Sequence, residues 1–95
     1  NVGENVSDRV KQFVVRLEDD IKLEGVEIER VVLPYQKVRQ IDVYIKGRKE
    51  YYKLSIDRSS AVQAEDLGRM LRYLDDKKIS CSYVDLRVEG KAYYK

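Results

Sequence analysis

Ile41-Asp42-Val43-Tyr44-Ile45-Lys46-Gly47-Arg48-Lys49-Glu50-Tyr51-Tyr52-Lys53-Leu54-Ser55-Ile56 is the stretch that decides the fold. Ile41, Val43 and Ile45 fall on one face of an extended chain, and Asp42, Tyr44 and Lys46 on the other. After the turn Gly47-Arg48-Lys49-Glu50, Tyr52, Leu54 and Ile56 alternate with Tyr51, Lys53 and Ser55. Two alternating runs around a short turn containing Gly predict a β-hairpin with one apolar face. That face must be covered by something else in the chain.

The cover lies on either side. Upstream, Val10, Phe13, Val14, Leu17 and Ile21 recur at helical spacing behind a cap at Ser7 or Asp8, and Gly25 is a stop. Residues 1–6 read as a lead-in. From Val26 the period falls to two: Val26 and Ile28 alternate with Glu27 and Glu29. Val31, Val32 and Leu33 then run together up to Pro34, which cannot donate to a ladder and so ends a strand or marks an edge. Downstream, Ser60-Ala61-Val62-Gln63 has the form of a capping box. Ala64, Leu67, Met70, Leu71 and Leu74 form a second helical stripe, with Asp75-Asp76-Lys77-Lys78 as a polar exit. Ser82–Val88 alternates again, Glu89-Gly90-Lys91 turns the chain, and Ala92–Lys95 begins a return strand. The expected fold is α+β in the order α-β-β-β-α-β-β. Two helices lie on one face of a mostly antiparallel sheet of about five strands. Strands on either side of the second helix, if paired, are expected to be parallel.

The chain has 95 residues, a length that suits one domain spanning 1–95. It opens on Asn1 rather than Met, so the expectation is a piece of a longer protein. With no His there is no imidazole base, and with one Cys no internal disulfide or thiolate cluster. No metal, no cofactor and no catalytic residue is expected, and composition points away from an enzyme. Glu27, Glu29 and Asp85 are the remaining acid–base candidates. Solvated strand faces explain them better than a cleft that separates their pKa values. Cys81 reads as a small buried hydrophobe, and no apolar run approaches membrane-spanning length. Gly68, on the second helix, either permits close packing or costs about 1 kcal/mol relative to Ala.

Two surfaces could bind macromolecules. Residues 37–58 hold Lys37, Arg39, Lys46, Arg48, Lys49, Lys53 and Arg58 against Asp42, Glu50 and Asp57. The hairpin tip, with Tyr44, Tyr51 and Tyr52 beside it, could hold phosphate and stack bases. A formal charge of +2 lacks the usual electrostatic footprint of a nucleic-acid binder. An edge kept soluble by Lys explains the same residues. The C-terminal end is the other surface. A terminal strand is often an edge strand that can take up another chain, and Tyr83, Tyr93 and Tyr94 supply amphipathic contact area. Composition alone leaves that reading level with a plain terminal hairpin.

Residues Gln63–Leu74, then Ser82-Tyr83-Val84-Asp85-Leu86-Arg87-Val88 and a final hairpin, carry a resemblance. This arrangement resembles the end of the extracytoplasmic β domain of the bacterial cell-division proteins FtsQ and DivIB. There a helix precedes a strand with a Tyr-(Ile/Val)-Asp-Leu-Arg core. The resemblance implies a single-pass membrane protein, of which this chain is the β domain without its transmembrane and POTRA segments. It implies a non-enzymatic divisome assembly factor on the extracytoplasmic side of the cytoplasmic membrane. Partners of FtsB and FtsL type would bind by strand addition at the C-terminal edge. Carried onto this chain, the partner-binding residues are Tyr83, Arg87, Val88, Gly90, Lys91, Ala92, Tyr93 and Tyr94. Asp85 and Arg87 read as a structural cross-strand pair, and Val88 stands where some members carry an aromatic. The alternatives are a small nucleic-acid-binding domain using Lys46, Arg48, Lys49 and Tyr51, or a scaffold of another extracytoplasmic machine.

Overall fold

The computed structural model describes residues 8–34 and 39–95. The elements are α1 (Asp8–Lys22), β1 (Ile28–Val32), β2 (Gln40–Ile45), β3 (Tyr51–Ser55), α2 (Ser60–Lys77), β4 (Tyr83–Asp85) and β5 (Tyr93–Tyr94). The strands lie side by side in the order β1-β2-β3-β4-β5. Every pair is antiparallel except β3–β4, which is parallel and connected through α2. This is the expected α+β plan. The expected lead-in, the Ser7 cap and Lys37 lie outside the described residues.

One core joins the layers. Phe13, Leu17 and Ile21 of α1 and Ala64, Leu67, Leu71 and Leu74 of α2 pack on Ile41, Val43, Ile45, Tyr52, Leu54, Val84 and Leu86. The hairpin pairs Val43 with Tyr52 and Ile41 with Leu54, so the alternation seen in sequence becomes a continuous apolar face. Burying a side chain of this kind contributes about 1.5–3 kcal/mol. The two helices are tied to each other by polar contacts at the margin. Ser60 Oγ donates to Asp20 at 2.7 Å, and Arg72 donates to the Glu24 carboxylate at 3.4 Å.

Several expectations are explained or corrected in detail. The expected break in alternation of the first strand has its cause in a register shift between Ile28 and Arg30. This bulge changes the phase of the strand. Val26 and Ile28 before it and Val31 and Leu33 after it therefore all pack against the core. That shift is the physical content of the Val31-Val32-Leu33 run. The cap of α2 is Ser59, not Ser60: its hydroxyl accepts from the Val62 N–H at 3.3 Å. Gln63, expected to close a capping box, is fully buried instead. It accepts from the Ser55 N–H at 2.8 Å and donates to the Ser55 carbonyl at 2.8 Å. It thus completes the end of β3, as a strand neighbour would. The Asp75–Lys77 segment belongs to the helix, and the stop is Lys78, in the left-handed region at φ 55°. Lys78 N–H donates to Asp75 O and Ile79 N–H to Leu74 O, which forms a Schellman motif.

Candidate partner-binding edge

The C-terminal hairpin begins from a short strand. β4 ends at Asp85 rather than running through Val88, because the chain bends there around a side-chain clasp. Asp85 Oδ1 accepts from the Arg87 backbone N–H at 3.0 Å and from its Nε at 2.9 Å, while Oδ2 accepts from Nη2 at 2.7 Å. Arg87 Nη1 then reaches back across the sheet to Gln40 Oε1 at 2.7 Å. The pair joins residues two apart in the chain, at and just beyond the end of β4, not two strands as expected, and the cross-strand contact is made to Gln40. These hydrogen bonds to Arg87 hold the Asp85 carboxyl below the usual carboxylate range, against the opposing pull of burial. From the other face the Arg58 guanidinium donates to the Leu86 carbonyl and pairs with Asp66 at 3.5 Å. Arg87 and Arg58 therefore grip consecutive residues and fix the direction in which the chain leaves the sheet.

The turn follows at once. Lys91 N–H donates to Val88 O at 3.2 Å, and Gly90 sits at φ 72°, a conformation that favours glycine. The returning strand pairs Asp85 with Tyr93 and Val84 with Tyr94. Lys95 N–H donates inward to the Tyr83 carbonyl at 3.2 Å, and Lys95 O accepts from Ser82 N–H at 2.6 Å. In an antiparallel ladder the inward and outward groups alternate. Since Lys95 faces β4, the N–H and C=O of Tyr94 turn outward along the edge of the sheet. Tyr94 stands on the helix side, beside buried Val84, with its ring 6.3 Å from that of Tyr73 on α2. The hydrogen bond it shares with Tyr73 raises the Tyr94 phenol above its ordinary value. Tyr93 stands on the opposite face. Tyr73, Tyr93 and Tyr94 are exposed and flank the edge backbone as an amphipathic rim, and Val88 is exposed at the turn that precedes it.

Tyr83 is placed differently from the other residues assigned to this edge. Register aligns Arg30, Tyr44, Tyr51 and Tyr83 in one row across four strands, on the face turned away from the helices. Arg30 lies 4.1 Å above the Tyr44 ring, Tyr44 stacks on Tyr51 at 5.2 Å, and Tyr51 meets Tyr83 at 5.9 Å. Lys53 covers Tyr83 at 3.9 Å. Burial beneath this row, with Asp42 close by, pushes the Tyr51 phenol up. The rings spend their faces on each other and on the two cations, which leaves little π-face for a stacked base.

The hairpin tip is equally engaged. Lys46 pairs with Glu27 at 3.3 Å. Arg48, its side chain only 17% exposed, is held by Glu50 and by Asp75 of α2. Burial works against its charge, but the two carboxylates outweigh it and raise the Arg48 pKa. Tyr52 is fully buried and its hydroxyl donates to Glu50 at 2.6 Å, and that burial and the carboxylate together push the phenol far up. Lys49 and half-buried Tyr51 are what the hairpin still presents. Among the described residues no cluster of three or more His, Cys, Asp or Glu is arranged to hold a metal, and no helix is long and apolar enough to cross a membrane.

Sequence reading missed four contributors, of which Arg58, read there only as one of several cations, grips the Leu86 carbonyl. Tyr73 adjoins the edge from α2 and carries no strand signal. Gln40 anchors Arg87 from a distant part of the chain. Gln63 replaces a missing ladder partner, and only its position one residue too far from the true cap hints at that. The fold and the edge together define a small α+β domain with a clamped C-terminal hairpin and an outward-facing terminal strand. No protein-family model, curated protein or solved structure matches the chain.

Proposed function

We propose that this chain is a non-enzymatic assembly domain of the FtsQ/DivIB type, and that an extended segment of an FtsB- or FtsL-type partner adds to its sheet along β5. On this reading the parent is a single-pass membrane protein and the domain works on the extracytoplasmic side in the divisome. The observation that carries the reading is the outward N–H and C=O of Tyr94 at the sheet edge, held there by the Asp85–Arg87–Gln40 clasp. Main-chain pairing supplies affinity in such a mode, and alternate side chains supply selection.

The opposite edge suits this role less well. β1 carries a bulge, with Glu27, Glu29 and Arg30 along it and Pro34 just beyond, all of which discourage pairing. A nucleic-acid role for the hairpin finds less support, because Arg48 is enclosed by Glu50 and Asp75 and Lys46 pairs with Glu27 at the surface. A scaffold of another extracytoplasmic machine would use the same edge with a different partner.

Calorimetric titration of proline variants with the extracytoplasmic segment of an FtsB-type protein tests the reading. Tyr94→Pro removes an outward N–H, Ala92→Pro blocks extension of β5 back towards the turn, and each should weaken binding about tenfold. Undiminished binding by both variants would exclude strand addition at β5.

A further inference from the structure

The edge has a charge pattern of its own, read along the terminal segment Lys91-Ala92-Tyr93-Tyr94-Lys95, within which Tyr93 and Tyr94 form β5. Register puts Tyr93 opposite Asp85, on the face turned away from the helices. The bond from Lys95 to Tyr83 keeps Lys95 on that same face and Tyr94 is on the helix side; strand addition that extends β5 back through Ala92 brings Lys91 to the face of Lys95. Lys91 and Lys95 are both exposed. A strand laid along β5 would set one residue beside each of these five, and directly opposite residues in neighbouring strands interact through their side chains.

We propose that the partner segment is acidic and amphipathic, with the form Glu–apolar–aromatic–apolar–Glu, and that Lys91 and Lys95 select it. This rests on strand addition at β5 and specifies what is added. The two outer carboxylates meet Lys95 and Lys91. The central aromatic lies beside Tyr93, continuing the row that contains Asp42, Lys53 and Asp85. The two apolar residues turn to the helix side, where Tyr94 and Tyr73 offer exposed apolar surface. Because the pattern is symmetric about Tyr93, it matches a partner running in either direction.

The same two lysines argue against a second copy as occupant. Antiparallel pairing of β5 with β5 about Tyr93 would place Lys91 of one chain opposite Lys95 of the other, at both ends. Like charges directly opposite each other are destabilising, and Lys on an edge is a known barrier to self-pairing. The edge thus rejects its own kind and accepts acid.

The test uses the 95-residue chain and two synthetic peptides, Glu-Val-Tyr-Val-Glu and Lys-Val-Tyr-Val-Lys, each between Ser-Gly flanks. Amide exchange at Ala92 and Tyr94 reports whether a strand has been added, and the titration gives relative affinity. The expected result is slowed exchange at both amides, with the Glu peptide preferred about tenfold at low salt and less at high salt. The Lys91→Glu, Lys95→Glu double variant should invert that preference; both residues are exposed, so the fold should not suffer. Equal affinity for the two peptides with both amides protected would overturn the charge selection while leaving strand addition intact. No protection at either amide with either peptide would remove strand addition and the selection with it.

Discussion

Arg87 is the residue on which the C-terminal edge turns. Its guanidinium satisfies Asp85 and Gln40 together, so it joins the end of β4 to the start of β2. Arg87→Ala should leave the core in place but loosen the 88–95 hairpin, seen as faster amide exchange at Tyr93 and Lys95, whose N–H groups face inward. Asp85 has a definite acid signature. Its folded pKa is depressed by Arg87, so its stabilisation is complete above the ordinary carboxylate value, near ~4, and is lost as pH falls through the depressed value. Acid titration followed by NMR should show the hairpin unchanged from pH 7 to about 5 and loosening below about 4. In Asp85→Asn it should be loose throughout. Gln63 is the other decisive residue. Gln63→Leu leaves the Ser55 N–H without a partner and takes from its carbonyl one of two donors, the other being the Arg58 N–H, and should cost about 1–3 kcal/mol in urea unfolding. Gly68 has a local reason. A Cβ there would overlap the Glu24 carboxylate, which itself pairs with Arg72.

At the scale of elements, α2 ends on an unfavourable residue in a favourable motif. Lys78 holds a left-handed conformation that costs an L side chain about 1–2 kcal/mol, although its Schellman bonds are complete. Lys78→Gly should raise stability by about 0.5–1 kcal/mol, read from the urea midpoint, because the added flexibility of the unfolded chain offsets part of the relief. The elements themselves were legible in sequence wherever one face is buried. Alternation at Ile41–Ile56 and the helical spacing of Phe13, Leu17 and Ile21 each follow from burial of one side. What sequence did not reveal depends on register. Tyr44 and Tyr51 can be placed on one face from alternation, but their alignment with Tyr83 needs the parallel β3–β4 pairing across α2. The bulge in β1 shows only as an unexplained apolar run. The true cap of α2 lies one residue from the apparent one because Gln63 is needed inside. The C-terminal edge was visible as a terminal strand. Its clasp was not, because Gln40 and Arg58 come from elsewhere in the chain.

For the whole molecule, the sheet has one covered face, one face lined by a tyrosine row, and two edges treated differently. The β1 edge is bulged and charged, whereas the β5 edge is clamped from behind and rimmed by tyrosines. Lys91 and Lys95 guard that rim against self-pairing. Neutralising both, as Lys91→Val with Lys95→Val, should promote concentration-dependent association in sedimentation velocity, while the parent chain stays monomeric under the same conditions. The most direct measurement of all is the hydrogen-exchange rate of the Tyr94 amide, with and without the extracytoplasmic segment of an FtsB-type partner. Strand addition at β5 requires that amide to become strongly protected on binding, with Ala92 following it and the inward Lys95 amide changing less. Binding that leaves Tyr94 exchanging at its free rate would contradict the assignment of this edge as the docking site.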